Sequence, residues 1–206
     1  ALTTNITGVN NTAVGQSALS VSLNDGNTAI GLASGGGITS GQYNTVVGLV
    51  AGSSITTGST NICIGYNAQP TSASANTQAT IGDSQIGALR CNVQSIGSLS
   101  DQRDKTEIVD SPYGLTFINT VQPRQFKWAT RDGNTKDGKT RLGFIAQELL
   151  TATDGNNAVL DLVLDDNPDK LEATYGNLLP IMVKAIQELS TKNDALVARI
   201  TALEGA

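Results

Sequence analysis

Histidine is absent from this 206-residue chain. That removes the Ser-His-Asp and Cys-His nucleophile arrangements and the commonest zinc ligand together. Any nucleophile must take Lys, Asp or Glu as its base, and neither a metal site nor a cofactor is expected. Cysteine is nearly absent: Cys63 and Cys91 imply no disulfide framework, and a reducing compartment is the simpler setting. Aromatic residues make up only 4% of the chain while 22 residues are glycine, so bulk for a thick core is lacking. Chains of small residues still fold when thin layers stack on one another, or when several chains share one interior. Basic residues are outnumbered, 13 against 18, for a net charge of −5. This balance excludes the phosphate-neutralising surface of a nucleic-acid binder. No run approaches the roughly 20 apolar residues of a membrane span. The opening Ala1-Leu-Thr-Thr-Asn5 lacks the basic and apolar regions of a signal peptide. The chain therefore reads as soluble and unsecreted, with no membrane insertion.

What is present in the first half is a repeat. Asn11-Thr-Ala-Val-Gly15 returns as Asn27-Thr-Ala-Ile-Gly31, Asn44-Thr-Val-Val-Gly48 and Asn61-Ile-Cys-Ile-Gly65, then fades into Gln78-Ala-Thr-Ile-Gly82; the closing glycines are 16, 17, 17 and 17 residues apart. A fixed period with a β-favouring core and a terminal glycine predicts one strand per repeat, a corner, and a second short segment, held by Ile38-Thr-Ser-Gly41 and Ile55-Thr-Thr-Gly58. Each repeat alone has too little apolar surface to be stable, so neighbours must stack. A flexible Gly/Ser/Asn linker would not keep Val and Ile at a fixed phase. Cys63 occupies the place of Ala13, Ala29 and Val46 and reads as a small core residue. Gly35-Gly36-Gly37 lacks the following Lys-Ser or Lys-Thr of a phosphate loop and reads as a turn insertion. Residues 8 to 87 resemble the β-roll heads of trimeric autotransporter adhesins, with a longer period, so a β-roll or related β-solenoid is expected. Its exposed Asn, Thr, Tyr43 and Tyr66 could meet a host-surface glycan or protein receptor, but the same residues cap turns in any solenoid.

Near Ser98 to Ser100 the grammar changes. Charges become dense, the glycine repeats stop and longer apolar patterns begin. Leu115 to Val121 reads as a short helix, Arg124 to Trp128 as a strand after Pro123, Asp132-Gly133-Asn134 as a turn, and Leu142 to Leu149 as a strand running into a helix. A compact α+β unit over residues 100–206 follows a β segment over residues 1–99. The chain closes on a long helix, about residues 177–204. Leu179, Met182, Ile186, Leu189, Asn193, Leu196, Ile200 and Leu203 keep an unbroken 3,4 spacing over more than three heptads, the stripe of a coiled-coil seam. The alternative is an amphipathic helix lying on its own domain. Asn193 is the polar intruder, a residue that fixes register and, in two-stranded coils, favours dimers.

The second half resembles the C-terminal intramolecular chaperone domain of phage tailspikes and tail fibres. The matching residues are Ser100-Asp-Gln-Arg-Asp-Lys105, Gly114 to Ile118, Val121 to Trp128, Gly143 to Glu148, and Tyr175 to Leu189. The resemblance implies a homotrimer, a virion tail fibre assembled in the host cytoplasm, and a domain that folds the preceding β-fibre. It then implies self-cleavage between Leu99 and Ser100, by a serine peptidase dyad of Ser100 and Lys105. Asp101 and Arg103 match the motif and read as residues that hold a turn. Asp104 departs from the apolar residue usual there. Without the resemblance, Ser100 and Lys105 are ordinary surface residues. Positions i and i+5 face opposite ways in a strand and lie about 140° apart on a helix, so a turn or a second chain must bring them together. A desolvated lysine amine can serve as general base for a serine hydroxyl. The competing reading is a structural receptor-binding tip that never cuts. A glycan-degrading spike lacks the pair of carboxylates its chemistry needs.

Overall fold

The structure, a computed structural model, describes residues 1–92, 96–129 and 138–205. The turn expected at Asp132-Gly133-Asn134 lies outside the described residues. Two units divide the chain, one built chiefly on Ala1–Arg90, the other chiefly on Cys91–Lys127, Gly138–Asp165 and Leu171–Ala206.

The first unit is a β-solenoid. Each repeat supplies one three-residue strand: β1 (Thr12–Val14), β2 (Thr28–Ile30), β3 (Thr45–Val47), β4 (Ile62–Ile64) and β5 (Ala79–Ile81). They stack in chain order as one parallel sheet, with Thr12 level with Thr28, Thr28 with Thr45, Thr45 with Ile62 and Ile62 with Ala79. The middle residues of the strands point inward. Ala29, Val46 and Cys63 are fully buried, together with Leu19, Ile38 and Ile55 from the opposite run of the coil. Burial pushes the Cys63 thiol up to about 11, consistent with a core residue. Small Ala and Cys residues share this core with a few Leu, Ile and Val side chains.

Two devices join the coils. The closing glycines have positive φ, 134° at both Gly31 and Gly48, where an L side chain is strained. A Cβ on Gly31 would also sit 2.4 Å from the Gly48 carbonyl oxygen of the next coil. The second device is a ladder of buried asparagines. The Asn44 side-chain oxygen accepts from the backbone and side-chain nitrogens of Asn61 at 2.9 and 3.1 Å. Its amide nitrogen donates to the Asn27 side-chain oxygen at 3.1 Å and the Gly58 carbonyl at 2.9 Å. Asn27 repeats the pattern below, and Asn61 accepts from Gln78 N at 3.0 Å above.

The second unit packs short elements on one long helix. Helix α1 (Leu115–Ile118) precedes β6 (Arg124–Lys127), which pairs antiparallel with β7 (Thr140–Gly143). Helices α2 (Ala146–Ala152) and α3 (Asn157–Leu160) follow, then the small pair β8 (Val163–Leu164) and β9 (Glu172–Ala173). Helix α4 (Leu178–Glu204) ends the chain. Its Leu178 and Ile181 join Val121, Leu149, Leu160, Leu162 and Val163 in the core. The stripe from Leu179 through Met182, Ile186 and Leu189 to Leu203 is exposed. The first turns of α4 thus carry two apolar faces, one packed within the unit and one bare.

Asn44→Ala would take the side-chain partner from the Asn61 N–H and from the Gly58 carbonyl, each buried orphan costing about 1–3 kcal/mol. Calorimetry of the intact chain should show a lower unfolding midpoint for the repeat unit, and an unchanged midpoint would exclude the ladder as a main support.

Candidate functional site

Ser100 and Lys105 flank a single 3₁₀ turn, Gln102–Asp104. Asp101 caps it: one carboxylate oxygen accepts from Arg103 N at 2.9 Å and Arg103 Nε at 3.0 Å, and the other from Arg103 Nη2 at 2.6 Å. Asp104 N and Lys105 N donate back to the carbonyls of Asp101 and Gln102, both at 3.2 Å. The turn folds the segment on itself, and Lys105 Nζ donates to Ser100 Oγ at 2.6 Å. A strand or α-helix would have separated this pair. The turn joins it within one chain.

The Arg103 side chain, then its backbone N–H, holds the Asp101 carboxyl below its ordinary value. A depressed carboxylate clasp is fully present above the ordinary carboxylate range and is lost as pH falls through the lowered value. The Asp104 carboxylate makes no ion pair with Lys105 among the described residues. Ser100 and Lys105 are exposed, and the Leu99 side chain is 100% exposed. Among the described residues no cluster of His, Cys, Asp or Glu could hold a metal ion, and no helix is long and apolar enough to cross a membrane.

The other motif residues are architectural. Arg124 on β6 clasps Glu148 on α2, with Nε and Nη2 each donating at 2.8 Å. Glu188 on α4 accepts from Leu115 N at 2.9 Å, capping α1; a Cβ on Gly114 would lie 2.5 Å from the Glu188 carboxylate. Tyr175 packs edge-on against Phe144 with ring centres 5.2 Å apart, and a Cβ on Gly143 would lie 3.0 Å from its hydroxyl. The Glu188 cap leaves no local pattern in the sequence, because its partner is 73 residues away. The only local signal was a glycine opening a short apolar helix.

Residues 100–160 match the family described as chaperone of endosialidase. The match opens on the serine that the turn holds against Lys105 and stops before α4. It supports an intramolecular chaperone domain of the kind carried by phage tail fibres and tailspikes, in a family whose title also marks it as a peptidase. No curated protein and no solved structure matches the chain.

Glu188→Ala should uncap α1 without touching the Ser100–Lys105 turn. Hydrogen exchange at the Leu115 amide should accelerate, and an unchanged rate would show that Glu188 does not hold this helix.

Proposed function

We propose that this chain is the C-terminal part of a phage tail fibre or tailspike, in which residues 100–206 trimerise the chain, direct folding of residues 1–99 and then release themselves by autoproteolysis before Ser100. The observation that carries the reading is the 2.6 Å contact between Ser100 Oγ and Lys105 Nζ, with the Leu99 side chain standing free beside it. With the amine neutral, the same contact runs in reverse. Ser100 Oγ–H gives its proton to Lys105 Nζ as Oγ attacks the Leu99 carbonyl carbon. The Leu99–Ser100 C–N bond breaks, the lysine ammonium returns the proton to the leaving Ser100 amine, and the acyl group rests as an ester on Oγ. Water then hydrolyses the ester, leaving a Leu99 carboxylate and a free Ser100 hydroxyl. Asp101 and Arg103 position the dyad by holding the turn.

In one chain both reacting side chains are exposed, whereas a lysine serves as general base in an enclosed site from which water is excluded. The site therefore works once assembly has covered it, and cutting reports correct folding. The exposed seam of α4 supplies the trimer contact, and the repeat unit faces the host surface in the virion. Exposure of the dyad also favours the second reading, a trimeric tip that never cuts.

Ser100→Ala should abolish cutting and leave the trimer intact, and Lys105→Ala should do nearly the same. Neutral hydroxylamine, which attacks esters, should speed release of the first half from the wild-type chain only. The measurement is mass under denaturing conditions: a wild-type chain that stays at 21.3 kDa after long incubation at neutral and mildly alkaline pH would establish the tip that does not cut. Residues 1–99 expressed alone should aggregate, and a soluble trimer with a cooperative melt would end the chaperone assignment.

A further inference from the structure

Because the middle residues of β2, β3 and β4 are buried and those of β1 and β5 half-buried, the first and third point to the outer face of the repeat sheet. The third positions, Val14, Ile30, Val47, Ile64 and Ile81, lie in one column through the paired strands. Val14 is 57% exposed, Ile30 42%, Ile64 44% and Ile81 59%. Beside them stand Leu32, Leu49 and Tyr66, each following a closing glycine and each exposed. Neighbouring strands are about 4.8 Å apart, so five make a strip roughly 19 Å tall. A strip this continuous marks a surface meant to be covered.

We propose that this strip is where the repeat halves of further copies of this chain pack on one another, in parallel, each coil level with its counterpart. The proposal rests on the homotrimer reading above and names the surface that reading leaves open. The rungs recur at one fixed step, so a partner fits along the whole height only if it carries the same step, as a second copy does. Asp25, Asp83 and Arg90 are the charged residues before Ser100, and none is among the third-position residues, so identical strips meet without like-charge repulsion. Copies joined through the α4 seam start out parallel and in reach of one another. A saccharide would need a spread of polar partners and ring faces, whereas this strip offers aliphatic side chains and the single ring of Tyr66.

The test is thiol protection in the whole chain. Ile30→Cys and Ile64→Cys, both exposed in the single chain, are made singly in a Cys91→Ser background, with Thr57→Cys, exposed on another run of the coil, as the comparison. Cys63 stays, since it is buried and its thiol, pushed up to about 11, forms no appreciable thiolate at neutral pH. Light scattering first gives the mass of each protein, and maleimide labelling is then timed before and after denaturation. The expected result is a trimer in which positions 30 and 64 label at least about tenfold more slowly than position 57, with the difference lost in denaturant. A strip variant that turns monomeric with the circular dichroism of its parent also supports the proposal. A trimer in which all three positions label alike overturns the strip and leaves the trimer standing. A monomeric parent removes both.

Discussion

A buried asparagine carries each coil of the repeat half onto the next, and the rest of that half depends on it. Each coil gives the core only two or three small or medium side chains, so apolar burial within a coil cannot offset the chain entropy of ordering about seventeen residues. Stability comes from the interface between coils. There the asparagine satisfies backbone groups that the short strands leave open: Asn27, Asn44 and Asn61 each accept from the nitrogen of the residue one repeat on. Gln78 takes the corresponding place above Asn61, where the motif itself fades.

A ladder of near-identical rungs has a cost in specificity. In the proposed assembly, shifting one coil stack past another by a whole repeat would re-form nearly all the same contacts between copies, because the outer columns differ little from rung to rung. Register between copies is therefore weakly encoded in the repeats themselves. The second unit has the opposite character. Arg124 with Glu148, Glu188 with the α1 N-terminus, and Tyr175 with Phe144 are each made once and have no equivalent one step away. Arg124 and Glu148 lie within the stretch that matches the chaperone family, and their part there is architectural. Ser100 and Lys105, the proposed dyad, are held on an exposed turn.

The solenoid was legible because its signal recurs. The 17-residue phase fixed which residue of each triplet turns inward, and Cys63 fell in line with Val46. The long helix was legible from its spacing, but not the second face through which Leu178, Ile181 and Ala185 enter the core, because spacing cannot say which apolar stripe meets which partner. The Ser100–Lys105 pair was legible only through resemblance, since strand and helix geometry both argue against it. The structure's answer is a 3₁₀ turn between them. Asp101, an acceptor placed two residues before the amide it caps, was the local sign of that turn. The Glu188 cap had no such sign, because contacts across 73 residues leave no pattern in a single sequence.

The contrast between the repeat and the helix indicates where register comes from in the proposed assembly. Sliding the solenoid strip by one coil replaces Val or Ile with Val or Ile. Sliding the α4 seam by one heptad sets Asn193 against Ile186 or Ile200, burying an amide against an apolar side chain with its hydrogen bonds unmade. The seam therefore penalises a shift that the strip tolerates. An element that can be wrong in many ways at little cost is joined to one that can be wrong in few, so the second must act first. In the proposed mechanism that order also lets the bond between them be cut. Once the coils of several copies stand level, slipping would require breaking every rung at once, and the barrier to that persists without the helix that set the register.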